Sequence, residues 1–154
     1  MKGYKFGLIL TFLIFFLNSS ISHAADINWF TTVVEPEVGS KYTLGTGRNE
    51  FGIDFIAIKK SDSYDHIDIN FGDNGTRTVS LQDEGLDPKT AKISLENGKI
   101  IININTNVIR APGVGGDQYK YLYTIRLNSD GYIDSTFGDN GILKSRFDIK
   151  PAPG

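Results

Sequence analysis

The pentapeptide Phe-Gly-Asp-Asn-Gly occurs twice in this chain, and the duplication constrains the fold more than any other feature. The copies begin at Phe71 and Phe137, a spacing of 66 residues. The flanking residues also match, since Asp68 aligns with Asp134 and, with a small insertion, Ile58 aligns with Ile125. Similarity at a fixed spacing is typical of repeat proteins, in which each unit buries its apolar face against a neighbour.

Each residue type in the pentapeptide has a local structural reason to be there. Phenylalanine buries a large apolar surface, while Asp, Asn and Gly tolerate the left-handed conformations that reverse a chain. Asp68 and Asp134 precede the phenylalanines by three residues, where a carboxylate can accept bonds from nearby backbone N–H groups. We therefore predict two structural corners, each with a buried phenylalanine and an exposed Asp-Asn-Gly turn.

A calcium loop is the alternative, because acidic residues and asparagine crowd both copies. The spacing of an EF-hand loop is absent, and Asp73-Asn74 and Asp139-Asn140 are adjacent in sequence, which directs neighbouring side chains apart. The sequence therefore favours the corner, and we predict no metal site and no cofactor.

The rest of the chain is patterned for β-strands, without a sustained 3.6-residue apolar rhythm. Alternating residues are clearest at 98–105 and 118–127. Asn97-Gly98 is a strong hairpin signal, because a type I′ turn needs positive φ at both central residues. The predicted strands are 28–34, 53–59, 76–81, 90–95, 98–105, 118–127 and 142–147. A weaker alignment places Asn28–Val34 on Lys99–Asn105.

These residues resemble the delta-60 repeat family of bacterial secreted and surface proteins. The matching segments are Asn97-Gly98-Lys99-Ile100, Ile125-Arg126-Leu127, Asp130-Gly131, Asp134, Phe137-Gly138 and Gly141. The resemblance covers residues 71–141 and extends partially over 53–75, whereas 25–52 depart from the pattern. It implies antiparallel, blade-like sheets of a propeller-type repeat and no established enzymatic activity. We accordingly expect an all-β fold with a partial repeat at 25–70, a complete repeat at 71–136 and a terminal strand at 137–147.

Propellers need about four to eight blades, more than this chain supplies. The alternatives are a compact open sandwich, sheets completed by other copies of the chain, or a remnant of a longer protein. Because residues 142–147 have no later strands to pair with, we expect the N- and C-terminal segments to share a sheet, within one chain or between two copies.

The N-terminus predicts export. Lys2 and Lys5 precede an apolar run at 6–17 and a small-residue exit, so residues 1–24 are typical of a secretory signal peptide. The apolar run is shorter than the roughly 18 residues of a membrane span, so a stable anchor is the less favoured reading. Residues 25–154 would then form a single periplasmic or extracellular domain with 14 basic and 18 acidic residues, a net charge of −4 that argues against nucleic acid. The chain has no cysteine, hence no thiolate for catalysis.

Candidate ligand-binding residues are few. Arg110 lies in a long loop beside a Pro-Gly pair, although it also fits an ordinary solvated arginine. Tyr119, Tyr121 and Tyr123 recur on one face of a predicted strand, where they would stack on a sugar or a partner, or pack across strands. His66 aligns with Tyr132, which favours a tolerant surface position.

These features favour an exported, non-catalytic binding or protein-interaction module, whose protein or carbohydrate ligand the sequence does not name, and which can self-associate. We predict no catalytic residues. One alternative is a small secreted hydrolase of the glycosidase type, which would use paired carboxylates that no spacing selects here. Another is a degenerate fragment of a longer propeller.

Overall fold

The computed structural model of the chain describes residues 26–81, 85–113 and 117–149. They form β-strands joined by turns and loops, and none of them forms a helix, so this part of the chain has no helix that could cross a membrane. The predicted signal peptide at 1–24 lies outside the described residues. The strands are β1 Asn28–Val34, β2 Lys41–Arg48, β3 Asp54–Ser61, β4 Thr76–Ser80, β5 Leu86–Glu96, β6 Lys99–Thr106, β7 Ile109–Arg110, β8 Gln118–Asn128 and β9 Ile142–Ile149.

The strands form two antiparallel sheets. Sheet one has the order β1-β2-β3-β4. In sheet two, β5, β6 and β8 are neighbours, the two-residue β7 continues beside β8, and β9 pairs with the other edge of β8. The all-β prediction is therefore confirmed, and the arrangement is an open two-sheet sandwich that does not close into a ring.

The two sheets repeat one another at the predicted spacing. Phe71 N donates to Asp68 O as Phe137 N donates to Asp134 O, and Lys60 N donates to Gly75 O as Arg126 N donates to Gly141 O. The equivalent residues in these bonds all differ by 66 in residue number. The alignment of Ile58 with Ile125, which required an insertion, is therefore wrong. Lys59 is the structural equivalent of Ile125, since they pair with Thr76 and Ile142 respectively.

Strand β2 was missed in the sequence because two glycines, Gly45 and Gly47, interrupt it. Both lie beneath aromatic rings: a Cβ at Gly45 would meet Trp29, and one at Gly47 would meet Phe55, in each case closer than 3 Å. Glycine is used here for close packing. The presence of β2 also makes the alignment of Asn28–Val34 with Lys99–Asn105 wrong, since β1 occupies the place of β5 and β2 the place of β6.

The sheets pack front to back around one apolar core. Leu44 and Ile58 pair across β2 and β3 and are fully buried. The equivalent pair in sheet two is Asn103 and Thr124, whose side chains instead hydrogen-bond at 2.7 Å on the outer surface. Sheet two buries the opposite face. Because side chains alternate along a strand, that face carries Ile100, Ile102, Ile104, Tyr123, Ile125 and Leu127. The repeated strands thus bury opposite faces.

The hairpin and corner predictions can be compared directly with the structure. Asn97 and Gly98 both have positive φ, as a type I′ turn requires. Asp68 and Asp134 each accept a backbone N–H two residues later at 3.1 Å, which confirms the predicted side-chain caps. In both turns the Asp and Asn are exposed, while the final glycine is buried.

One corner prediction is wrong. Phe71 is 1% exposed, but Phe137 is only partly buried and lies under the guanidinium of Arg126, 4.5 Å from the ring centre. Phe71 is covered because sheet two packs over it, whereas nothing in the described residues lies equivalently over Phe137.

Pairing of the two chain ends within one chain is also wrong. Strand β9 pairs with β8 over eight consecutive residues, and β1 belongs to the other sheet. The sharp turn at the second corner delivers β9 directly onto the free edge of β8, so the strand needs no distant partner for that edge.

Candidate functional site

Three predicted residues come together on one surface. Tyr119, Tyr121 and Tyr123 alternate along β8 and face the side on which sheet one packs. The rings of Tyr119 and Tyr121 meet edge to face with centroids 5.6 Å apart. Tyr123 is 3% exposed and belongs to the core, so it supports the surface without presenting its ring to solvent.

Two cations on β9 complete this surface. Lys144 Nζ lies 3.8 Å from the ring centre of Tyr121, and the guanidinium carbon of Arg146 lies 4.1 Å from that of Tyr119. In the register of the two strands, Lys144 pairs with Tyr123 and Arg146 pairs with Tyr121. Each cation therefore lies closest to the next tyrosine along β8, which is its diagonal neighbour. We call Tyr119, Tyr121, Tyr123, Lys144 and Arg146 the tyrosine face.

Lys144 and Arg146 are not among the binding residues predicted from the sequence. The signal was available in the alternation of β9, where charged residues occupy every second position, but their alignment with the tyrosines depends on the pairing of β9 with β8.

Strands β8 and β9 are longer than their counterparts at the end of sheet two where Tyr119 lies. Strand β8 has 11 residues against 8 in β3, and β9 has 8 against 5 in β4. At the 66-residue spacing, Tyr119 is one of the extra residues, whereas Arg146 corresponds to Ser80, the last residue of β4. Tyr119 is half-buried and Arg146 is exposed, so the extended end of sheet two leaves an aromatic and cationic surface open to solvent.

A cleft of about 610 Å³ adjoins the tyrosine face between the free edges of β4 and β9. Its lining includes Ser80, Leu81, Tyr123, Ile142 and Lys144. The cleft and the tyrosine face share Tyr123 and Lys144, so a ligand could occupy both.

Arg110 does not belong to this surface. It is exposed on β7 and pairs with Gln118. Arg110 therefore lies on the same side of the sheet as Gln118. Because neighbouring residues of a strand point to opposite faces, Tyr119 lies on the other side. The structure thus places Arg110 and the tyrosines, which the sequence named as separate candidates, on opposite sides of the sheet.

Several carboxylates of the described residues are engaged in ion pairs and turns. The Thr136 hydroxyl and the Lys99 ammonium hold the pKa of Asp134 well below its usual range, and Arg126 adds an ion pair at 2.9 Å. A hydrogen bond from Arg48 lowers the pKa of Asp54, and the backbone N–H of His66 lowers that of Asp62. These shifts run opposite to the raised pKa that a carboxyl needs as a general acid.

His66 is a surface residue, as predicted, with its Nδ1 3.0 Å from Asp62. Among residues 26–81, 85–113 and 117–149, no group of three or more His, Cys, Asp or Glu side chains is arranged to hold a metal ion.

Comparison with known proteins adds no family assignment. No family model matches the chain, and neither the curated proteins nor the solved structures contain a significant match.

Proposed function

We propose that this protein is an exported, non-catalytic binding module, built from two delta-60-like blades, that takes an acidic polysaccharide on its tyrosine face. The observation that carries the proposal is the gathering of Lys144 and Arg146 over Tyr121 and Tyr119 at one end of sheet two beside a cleft. Export rests on the pattern of residues 1–24, and the blade architecture on the 66-residue repeat.

The charge of the surface favours an anionic ligand. Lys144 and Arg146 lie two residues apart on one face of β9, with Asp148 paired to Arg146 at 2.8 Å. A carboxylate-bearing ligand would gain charge-assisted hydrogen bonds from both cations. The flanking tyrosine rings are held in place by edge-to-face packing, so little side-chain freedom is lost on binding.

The composition of the surface favours a polysaccharide over a folded protein. The centre of a protein interface is depleted in charged residues, lysine among them, whereas here each half-buried ring carries a cation. A chain of uronic acids offers a carboxylate and several hydroxyls per unit, which match a row of cations and phenol groups.

Binding of polygalacturonate by the mature protein tests the proposal. Affinity electrophoresis should show strong retardation by polygalacturonate, which weakens with added salt because the contacts are ionic. The variant Lys144→Ala/Arg146→Ala should lose most of this retardation. Its matched control is Arg110→Ala/Lys120→Ala, which removes the same charge from the opposite face of the sheet.

Equal retardation of the two double variants would refute a specific site at the tyrosine face. Retardation by a neutral polymer such as dextran, unaffected by Lys144→Ala/Arg146→Ala, would refute the acidic ligand. The hydrolase alternative would be favoured instead if the polymer were shortened during incubation.

A further inference from the structure

Apart from the two-residue β7, the sheets of the described residues have four edge strands, β1 and β4 in sheet one and β5 and β9 in sheet two. An edge strand exposes unpaired backbone N–H and C=O groups, which can pair with another chain unless the edge is blunted. Natural edges are blunted by short length, bulges, prolines or charges.

Three of these edges carry such a device. The register of β1 shifts between Trp29 and Thr31, and β4 is only five residues long. Strand β5 contains Pro88, and its register breaks between Asp87 and Lys92. Each of these edges is a poor template for another strand.

Strand β9 has neither a bulge nor a proline. It pairs with β8 through eight consecutive residues without a shift in register. Its outer face carries Leu143 and Phe147, each 47% exposed. Sequence and structure thus leave β9 as the edge best suited to accept a strand.

Charged side chains on β9 restrict which strand it can accept. Lys144, Arg146 and Asp148 alternate along the face opposite Phe147. Charges on an edge strand oppose its pairing with a second strand that carries like charges, and they stabilise its pairing with one that carries opposite charges. The mixed signs therefore make acceptance depend on the register of the partner.

Among the registers centred on residues 144–148, a second copy of β9 satisfies this restriction in one. In a two-fold antiparallel pair centred on Lys144, Arg146 or Asp148, that charge would lie opposite itself. Centring on Ser145 would place Lys144 opposite Arg146 of the second copy. Centring on Phe147 places Arg146 opposite Asp148 in both directions and pairs the two exposed phenylalanines, with no like charges facing each other between residues 145 and 149.

We propose that two copies of this protein associate through antiparallel pairing of residues 145–149 of β9, centred on Phe147. The pairing joins the second sheets of both copies into one continuous sheet. Because the two-fold axis is perpendicular to that sheet, both tyrosine faces lie on the same side. Five paired residues per copy make a small interface, so association depends strongly on concentration.

Cysteine cross-linking tests the register directly, because the chain contains no native cysteine. In the proposed dimer Phe147 faces its own copy, and directly opposed Cα atoms lie within the range of about 4.4–6.8 Å that a disulfide spans. The Phe147→Cys variant should form a disulfide dimer under mild oxidation. The Leu143→Cys variant is the matched control, since Leu143 has the same exposure on the same face but lies outside the pairing.

Sedimentation velocity at increasing concentration tests the association itself. The unmodified protein and Leu143→Lys should shift from monomer to dimer, whereas Phe147→Lys should remain monomeric. Asp148→Arg should weaken the dimer by setting two arginines opposite each other, and Arg146→Asp/Asp148→Arg should restore it. Circular dichroism establishes that each variant is folded.

A monomer at every concentration would overturn the proposal. So would equal cross-linking through positions 143 and 147, or a dimer that persists in Phe147→Lys, because these results would place the contact elsewhere or show it to be non-specific.

Discussion

The two Phe-Gly-Asp-Asn-Gly corners have the same backbone and different surroundings. In both, φ is near +50° at the second residue of the motif and again at the asparagine: 53° and 53° in the first corner, 53° and 49° in the second. The backbone hydrogen bonds of the turns also correspond one to one. The local sequence is therefore sufficient to specify the turn.

Burial of the phenylalanines differs because the corners occupy different places in the stack. At the first corner, Gly72 N donates to Asp130 O at 2.8 Å, and Gly131 lies against the ring of Phe71. These contacts come from the loop of the second corner. Within the part of the chain that the structure describes, no third sheet lies above the second corner, and Phe137 is covered by Arg126 from its own sheet. A repeated motif thus specifies its own conformation but not its burial.

The largest expected difference between the corners concerns the phenylalanines themselves. Phe71→Ala should destabilise the protein by about 3–5 kcal/mol, as expected for truncating a fully buried aromatic side chain. Phe137→Ala should cost about 1–2 kcal/mol, because less surface is buried and one cation–π contact is lost. Urea unfolding of both variants gives the two free energies. Equal losses would mean that the second corner is covered in solution, for example by another copy.

The loop over Phe71 gives the next largest effect. Gly131 has φ +88°, and a Cβ there would lie 2.9 Å from the ring of Phe71. Gly131→Ala should therefore cost about 2 kcal/mol or more, from left-handed strain and overpacking. The equivalent residue in the first corner, Asp65, already holds a side chain at φ 68°.

Asp65→Ala is the matched control for this substitution. It removes only an exposed ion pair with Lys41, so we expect a loss of under about 1 kcal/mol. If Gly131→Ala melts at the same temperature as Asp65→Ala, the contact between the two corners contributes little.

The smallest effect is confined to acid pH. Because donors lower the pKa of Asp134 in the folded state, its stabilisation is present above the unfolded pKa of about 3.9 and is lost as pH falls through the lower folded value. The free-energy difference between wild type and Asp134→Asn should therefore shrink below about pH 4.

Asp68→Asn removes the equivalent carboxylate from the first corner, where Lys60 is its only ion-pair partner among the described residues. Its cost at neutral pH should be smaller than that of Asp134→Asn, since fewer donors hold Asp68. Urea midpoints measured from neutral to acid pH compare the two. A difference for Asp134→Asn that stays constant with pH would contradict the role assigned to its donors.

Several features were predictable from sequence because they depend on local conformation or on alternation. These include the Asn97-Gly98 turn, the alternation of Ile100, Ile102 and Ile104, and the Asp caps of both corners. Strand β2 was not predictable in the same way, since Gly45 and Gly47 indicate a loop until Trp29 and Phe55 are known to lie over them.

The candidate site was predictable only in part. Alternation alone placed Tyr119, Tyr121 and Tyr123 on one face. The addition of Lys144 and Arg146 required the register of β9 on β8, and the exclusion of Arg110 required the pairing of β7. Register joins residues distant in sequence, so no local pattern contains it.

The sequence by itself determined the β architecture, the 66-residue repeat and the conformation of its two corners, because turn chemistry and two-residue alternation act between near neighbours. The tertiary structure decided which face of each repeat is buried. Leu44 and Ile58 are enclosed while the equivalent Asn103 and Thr124 face outward, because the sheets pack front to back and each offers a different face to the shared core. The packing of one sheet on the other likewise decided that Phe71 is buried and that Phe137 is not.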